Sequence, residues 1–304
     1  MTFFRNLTFF QFPAALAASI RRGLDQGTAE CALKPCGALE LSSRGFVPSF
    51  PADTDGDALP YYLNSDVIVL TVGGEDKILP SSVVNKVLGE RLAEIERKEG
   101  RKPGGRERKR IKEDIVHELL PKALVKPYRL TGYLDLQRGL VVVDTVSRKQ
   151  AEEFVSQVRA ALGSFPALPI NAEVGPRSVL TSYISGNVVD DLSVGDDFTL
   201  KDNADAKITS HNANPFGEEV TSYLGDGFQV SRLSLVLNER VEFDMDEDLV
   251  VRKFKLLDQA LEKLDGEEHE DIVADINARL WLQHAEVGAL FEVLVREFKL
   301  SPVI

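Results

Sequence analysis

The chain has 304 residues, 43% hydrophobic and 28% charged, and a formal net charge of -12; this is the composition of a globular protein with a real core, not of a disordered or fibrous chain. It contains no run of about 18 apolar residues, so no membrane-spanning helix is expected. Its two cysteines, Cys31 and Cys36, have no His beside them, which excludes a disulfide framework or a metal set and predicts reduced thiols in a cytoplasmic protein.

In chain order, Thr2–Phe12 reads as a strand and Ala14–Leu24 as a helix. Arg5 followed by Leu7–Ile20 imitates a secretory signal, but Asn6, Thr8 and Gln11 interrupt it, and a strand turning into a short amphipathic helix is the better reading. Leu33–Phe50, broken by Pro35, Gly37, Gly45 and Pro48, predicts turns and short pieces, and Asp53–Asp57 an acidic turn. Tyr61–Thr71 predicts a strand, with Gly73-Gly74-Glu75-Asp76 as a hairpin turn leading into Lys77–Leu79.

Ser81 or Ser82 is positioned to cap a helix reaching Lys98, with Val84, Val87, Leu88, Leu92 and Ile95 as its apolar stripe. Pro103, Gly104 and Gly105 break it. A second helix starts near Arg106, carries Ile111, Ile115, Val116, Leu119 and Leu120 on one face, and ends at Pro121. A helical hairpin projecting from the body of the protein is the result.

Tyr128–Asp135 and Gly139–Asp144 read as a strand pair, and Ser147 caps a helix Arg148–Leu162 that Gly163 ends. Val174–Asp191 stays ambiguous. Strands are expected at Asp197–Lys201, Ala206–Ser210 and, unbroken, Gln229–Phe243; Glu218–Leu224 is a short helix, Asp244–Asp248 an acidic turn, and Leu249–Leu256 continues the sheet. His269–Phe298 reads as a helix burying Ile272, Ile276, Leu280, Ala285, Leu290 and Leu294. Strands and helices do not alternate regularly, which predicts an α+β fold with mainly antiparallel sheets, packed helices and the projecting hairpin. The expected parts are 1–75 (α+β), 76–165 (hairpin, strand pair and following helix) and 166–304 (α+β).

Signatures of common chemistry are absent: no G-x-x-x-x-G-K-[ST], no G-x-G-x-x-G after a strand, no H-E-x-x-H, and four histidines (His117, His211, His269, His284) scattered singly. These absences count against an enzyme, and no cofactor or metal is expected. Glu242–Asp248 and Asp265–Asp271 read as solvated acidic turns. The alternative is a metal-dependent nuclease using Asp244, Asp246 and Asp248.

Charge gives the strongest functional signal. Residues 1–150 hold 23 basic and 19 acidic side chains, net +4, against 13 and 29, net -16, in residues 151–304. Residues 97–112 alone hold Arg97, Lys98, Arg101, Lys102, Arg106, Arg108, Lys109, Arg110 and Lys112 against Glu99 and Glu107, a net of +7. Clustered Lys and Arg bind a phosphate backbone by releasing its counterions and need no base-reading motif. Arg106, Arg108, Lys109 and Arg110 are expected in the first turn of their helix, where the macrodipole disfavours cations, so an external anion is a reason to keep them. Internal pairing of Lys109 with Glu113 and of Arg110 with Asp114 is the competing account. Lys122, Lys126 and Arg129 extend the basic block. With Tyr128 and Tyr133 the sole aromatics near it, contact to a duplex backbone is better supported than stacking on single strands. A membrane surface or an acidic protein partner would also suit such charge.

Five segments together resemble the RdgC family of bacterial recombination-associated DNA-binding proteins: Phe4-Arg5-Asn6-Leu7; Pro35-Cys36-Gly37 followed by Gly45-Phe46-Val47-Pro48; Lys77-Ile78-Leu79-Pro80-Ser81; His117-Glu118-Leu119-Leu120-Pro121-Lys122-Ala123; and Leu162-Gly163-Ser164-Phe165-Pro166. The resemblance implies a non-enzymatic, cytoplasmic, nucleoid-associated protein that binds double-stranded DNA with little sequence preference. It implies horseshoe-shaped subunits closed into a homodimeric ring, no membrane partner, and a brake on RecA exerted through the DNA they share. It also implies a DNA contact at Lys122, a subunit interface at Leu124 where the family has Phe, and a second DNA-contact segment near Lys207 and His211. Lys77, in the third motif, joins the DNA-binding set.

Overall fold

Segments rich in Val, Ile, Phe and Tyr form the strands, as branched and aromatic side chains favour a pleated, half-buried surface. The computed structural model describes residues 3–50, 61–265 and 272–301. Its first sheet comprises β1 (Thr8–Gln11), β2 (Ser42–Val47), β3 (Tyr61–Asn64), β4 (Val67–Ile78), β5 (Leu124–Asp135), β6 (Leu140–Val143) and β7 (Leu168–Pro169), in the order β2-β4-β5-β6-β1-β7, with β3 also on β4. The second comprises β8 (Leu192–Lys201), β9 (Lys207–Ser210), β10 (Gln229–Leu237), β11 (Val241–Asp246) and β12 (Val251–Leu256), ordered β12-β11-β10-β8-β9. All pairings between these strands are antiparallel. The α+β class with mainly antiparallel sheets is therefore the one the chain adopts.

The first sheet is buried on both faces, and its side chains divide with the period of two that a strand imposes. Phe10, Ile68, Leu70, Leu134, Val141 and Val143 point to α1 (Ala17–Glu30) and α4 (Arg148–Leu162), joining Leu24, Phe154 and Val158 in one core. Phe9, Val67, Val69, Tyr133, Leu140 and Val142 point the other way. There they meet the long helix α8 (Ile272–Phe298), α5 (Pro176–Ile184) and the inner face of the second sheet, through residues such as Leu290, Leu180, Leu233 and Phe243. The remaining helices are α2 (Ser81–Glu99), α3 (Gly105–Leu119), α6 (Glu218–Gly225) and α7 (Asp258–Asp265). No helix among the described residues is long and apolar enough to cross a membrane.

Several elements differ from the sequence reading. The first helix runs six residues further, to Glu30, and the first strand begins at Thr8. A strand, β2, lies inside Leu33–Phe50, and Gly73–Asp76 is no turn but the middle of β4, paired with β2 on one edge and β5 on the other. A Cβ on Gly73 would stand 2.6 Å from the Val47 side chain, and one on Gly74 2.6 Å from the Ser43 carbonyl, so these glycines permit close strand packing. The turn that precedes β4 is Ser65-Asp66. Asn238 and Glu239, at φ +50° and +56°, split Gln229–Phe243 into β10 and β11. Val174–Asp191 holds α5. In α8, Ile272 and Ala285 are exposed, while Leu282, Val287 and Phe291 are buried in their place. The acidic turn expected at Asp53–Asp57, the start of the last helix at His269, and residues 266–271 of the acidic cluster lie outside the described residues.

A buried polar knot ties α8 to the first sheet. Asp135, at the end of β5, accepts the N–H groups of Gln137 and Arg138 at 3.0 and 2.9 Å, turning the chain into β6. Its second oxygen accepts from the Arg138 guanidinium and His284 Nε2, both at 2.8 Å. Burial pushes the Asp135 carboxyl up, but the bonds from His284 and from the Arg138 backbone and guanidinium outweigh it and hold the group at about 2, below its usual 3.8. A depressed carboxylate contributes its stability above its unfolded-state pKa and loses it as pH falls through the folded value. Asp135→Asn should cost about 3 kcal/mol at neutral pH. In urea titrations across pH, that difference should hold above about pH 4 and shrink towards pH 2.

Candidate nucleic-acid interface

Twelve successive residue pairs join β4 to β5, from Val67↔Asp135 to Ile78↔Leu124. The helices α2 and α3 are inserted at the far end of this ribbon, leaving it at Ile78 and returning at Leu124. At 1.5 Å per residue α2 extends about 28 Å from its root. The two helices pack chiefly on each other. Val84 and Ile115 are buried between them, Leu120 just past the end of α3 is buried as well, and the other stripe residues are half-covered at best. Gly100, at φ +66°, ends α2 in the left-handed conformation that glycine tolerates best. The cap at its start is Pro80; Ser81 and Ser82 sit inside the first turn and make no capping bond, contrary to the sequence reading. Leu120-Pro121-Lys122 forms a single 3-10 turn that stops α3 where proline was expected to stop it.

All nine cations of the basic block are exposed. Four are engaged within the arm. Lys98 pairs with Glu94 at 2.6 Å, Arg101 with Glu99 at 2.7 Å and Glu107 at 2.6 Å, Lys102 with Glu96 at 3.7 Å, and Lys109 with Glu113 at 4.0 Å. The two-pronged hydrogen bond from Arg101 holds the Glu107 carboxyl below its ordinary range. Among the described residues no ion pair engages Arg97, Arg106, Arg108, Arg110 or Lys112, and of the two pairs in the competing account only Lys109–Glu113 forms. Because α3 begins at Gly105, Arg106 and Arg108 lie in its first turn, whereas Lys109 and Arg110 fall in the second, where the macrodipole is weaker. Five uncompensated cations on one exposed arm is the arrangement that attracts a polyanion.

The rest of the basic set is divided. Lys122 and Lys126 are exposed near the root of the arm, with no ion pair among the described residues. Lys77 and Arg129 are occupied instead: the Lys77 ammonium donates to the Gly37 and Ala38 carbonyls at 2.6 Å, and Arg129 to those of Pro48 and Ser49 at 2.6 and 3.1 Å. Both clamp the segment around β2 to the ribbon. Lys207, on β9, makes no ion pair among the described residues, but His211 leans on Asp197 at 3.3 Å, far from the arm in sequence and in a different sheet.

Leu124 is 77% exposed, and Ile78 opposite it, Val83 and Val125 are also open, so an apolar patch surrounds the root of the arm. The sequence reading named only Leu124; the others become visible once the ribbon register brings them together. The carboxylates imagined as nuclease ligands are not a solvated turn. Asp244 and Asp246 lie in β11 and are buried, the first paired with Lys253 at 3.1 Å and the second with Arg252 at 2.9 Å. Asp248 meets Arg148 at 3.8 Å. Among the described residues no three or more His, Cys, Asp and Glu side chains gather in a way that could hold a metal ion.

Residues 2–301 match the protein family described as "Putative exonuclease, RdgC". Over 302 residues, 98% of this chain, the sequence is 47% identical to "Recombination-associated protein RdgC" of Xanthomonas oryzae pv. oryzae (strain MAFF 311018), covering 99% of that protein. Its identity to the protein of the same name from Xanthomonas campestris pv. campestris (strain B100) is also 47%, and to that from Stenotrophomonas maltophilia (strain R551-3) 46%, each again over 98% of this chain.

Because the arm holds itself together, it should be separable from the body in stability. Ile115→Ala should destabilise the arm by about 3 kcal/mol. Trypsin should then cut between residues 97 and 112 markedly faster, while the urea midpoint read from Trp281, the single tryptophan, on α8, stays nearly unchanged.

Proposed function

The chain belongs to the RdgC family, and from that premise we propose that it binds double-stranded DNA without sequence preference, as a ring-shaped homodimer that limits RecA's access to DNA. The observation that carries this reading is the set of five unpaired cations, Arg97, Arg106, Arg108, Arg110 and Lys112, presented on an arm within a chain of net charge -12. Phosphate contacts from such side chains position a duplex but do not read its bases. Lys122 and Lys126 continue the basic surface to the root of the arm. Beside them the patch of Ile78, Val83, Leu124 and Val125 supports a subunit contact, since apolar residues open to water are normally covered in an assembly.

The family description keeps a second reading in view, an exonuclease. Asp244, Asp246 and Asp248 support it weakly, because all three are paired with cations, Lys253, Arg252 and Arg148 in turn. End-labelled linear duplex incubated with the protein and Mg²⁺ or Mn²⁺ separates the two: shortening of the labelled strand favours the exonuclease, an intact retarded duplex the binding protein.

Fluorescence anisotropy with two unrelated duplexes should give equal affinities that fall steeply between about 50 and 200 mM salt. Replacing Arg106, Arg108, Arg110 and Lys112 together by Ala should weaken binding about a hundredfold at low salt and flatten the salt slope. Affinity independent of salt would sink the proposal. Leu124→Asp, which sets a charge in the apolar patch, should lower the dimer fraction measured by light scattering, with the far-UV spectrum unchanged.

A further inference from the structure

The outer face of the second sheet holds a cleft of about 200 Å³ between β8, β9, β10 and β12. At its centre is Arg232 on β10, directly opposite Asp246 of β11 and Thr199 of β8. The Nε of Arg232 is buried and has no hydrogen-bond partner, and no ion pair among the described residues engages its guanidinium. A buried guanidinium N–H left unpaired carries an appreciable desolvation cost, which an acceptor in the cleft would remove. Lys207, on β9, lines the same cleft.

Three carboxylates line the cleft and each is paired with a cation other than Arg232, the exposed Asp248 with Arg148 at 3.8 Å. Asp246 accepts the Asp248 and Val250 N–H groups, both at 3.0 Å, with one oxygen and Arg252 Nε at 2.9 Å with the other. Glu247 receives Lys201 at 2.5 Å on one oxygen and Arg177 on the other. Burial pushes the Glu247 carboxyl up, and those two cations overcome this and hold it low. The cleft is thus left with a surplus of positive charge around Arg232 and Lys207, inside a half of the chain whose net charge is -16. The planar guanidinium fork matches phosphate oxygens better than any neutral group.

We propose that this cleft, centred on Arg232 with Lys207 at its rim, seats a single phosphate group. Its assignment to the DNA backbone rests on the function proposed above; the seat itself does not. A phosphate from a small molecule would satisfy the same donors, and the experiment tells the two apart.

In ¹⁵N-labelled full-length protein, the Arg232 Nε–Hε resonance, identified by its loss in Arg232→Lys, should shift saturably with inorganic phosphate and not with sodium chloride of equal ionic strength. Anisotropy with a short labelled duplex should show Arg232→Gln about fivefold weaker than the unaltered protein, with a salt slope smaller by about one contact, and Arg232→Lys restoring the slope. A resonance shift with unchanged duplex affinity supports the seat and assigns it to a small phosphorylated molecule. No shift together with unchanged duplex affinity overturns it. The titration uses the unaltered chain, so a folding defect in Arg232→Gln does not blunt the test. Loss of DNA binding by the arm variant leaves the phosphate shift intact, so failure of the DNA reading and failure of the seat are distinct results.

Discussion

The continuous pairing of β4 with β5 is the constraint on which the molecule depends. Along its inner half, Val67–Val72 against Leu130–Asp135, the ribbon lies in both cores and is among the most deeply buried backbone in the protein. Along its outer half the side chains become progressively exposed until Leu124 stands almost free. The same two strands thus act as anchor at one end and as mounting for the helical arm at the other. Their rigidity is reinforced by Arg44 of β2, which stacks over the Tyr128 ring at 4.2 Å and pairs with Asp76 and Glu153, each at 2.8 Å. The arm has little body to lean on, so its direction is inherited from the ribbon.

Electrostatics divide the molecule in a complementary way. In the body most cations are spent on structure: Arg138 and His284 on Asp135, Arg240 on Glu286, Lys253 on Asp197 and Asp244, Lys77 and Arg129 on carbonyls. At the arm more than half of the block's cations have no ion-pair partner among the described residues. An ion pair at an exposed site is worth little, so leaving them unpaired costs the fold almost nothing. It does create a strong local field, which the excess acid elsewhere confines to the arm.

Much of this was legible in the sequence, for local reasons. The arm announced itself because Pro103-Gly104-Gly105 separates two stripes of helical period, and its charge could be counted. Ser147 predicted its helix because an N-cap acts within one turn, and its hydroxyl does accept the Gln150 N–H. What was illegible depended on partners distant in the chain. Gly73 and Gly74 look like a turn until β2 arrives beside them. Asp244 and Asp246 look like solvated charge until the sheet places Lys253 and Arg252 across from them. Lys77 and Arg129 count as free cations in any sum of charges, and only the fold shows that carbonyls hold them. Arg232 carries no sequence signal at all, since its isolation follows from every nearby carboxylate being claimed by another residue.

The chain enters and leaves the arm at one facing pair, Ile78 and Leu124, at the tip of a ribbon whose register is set well below it. Topologically the arm is an oversized hairpin loop, and loops of this kind tolerate insertion, deletion and recharging because no core contact records their length. Selection can therefore retune reach and affinity in the arm by ordinary point changes and indels, without passing through a destabilised body. The two cores and the ribbon evolve under packing, the arm under its ligand, and the boundary between those two regimes is a single cross-strand pair.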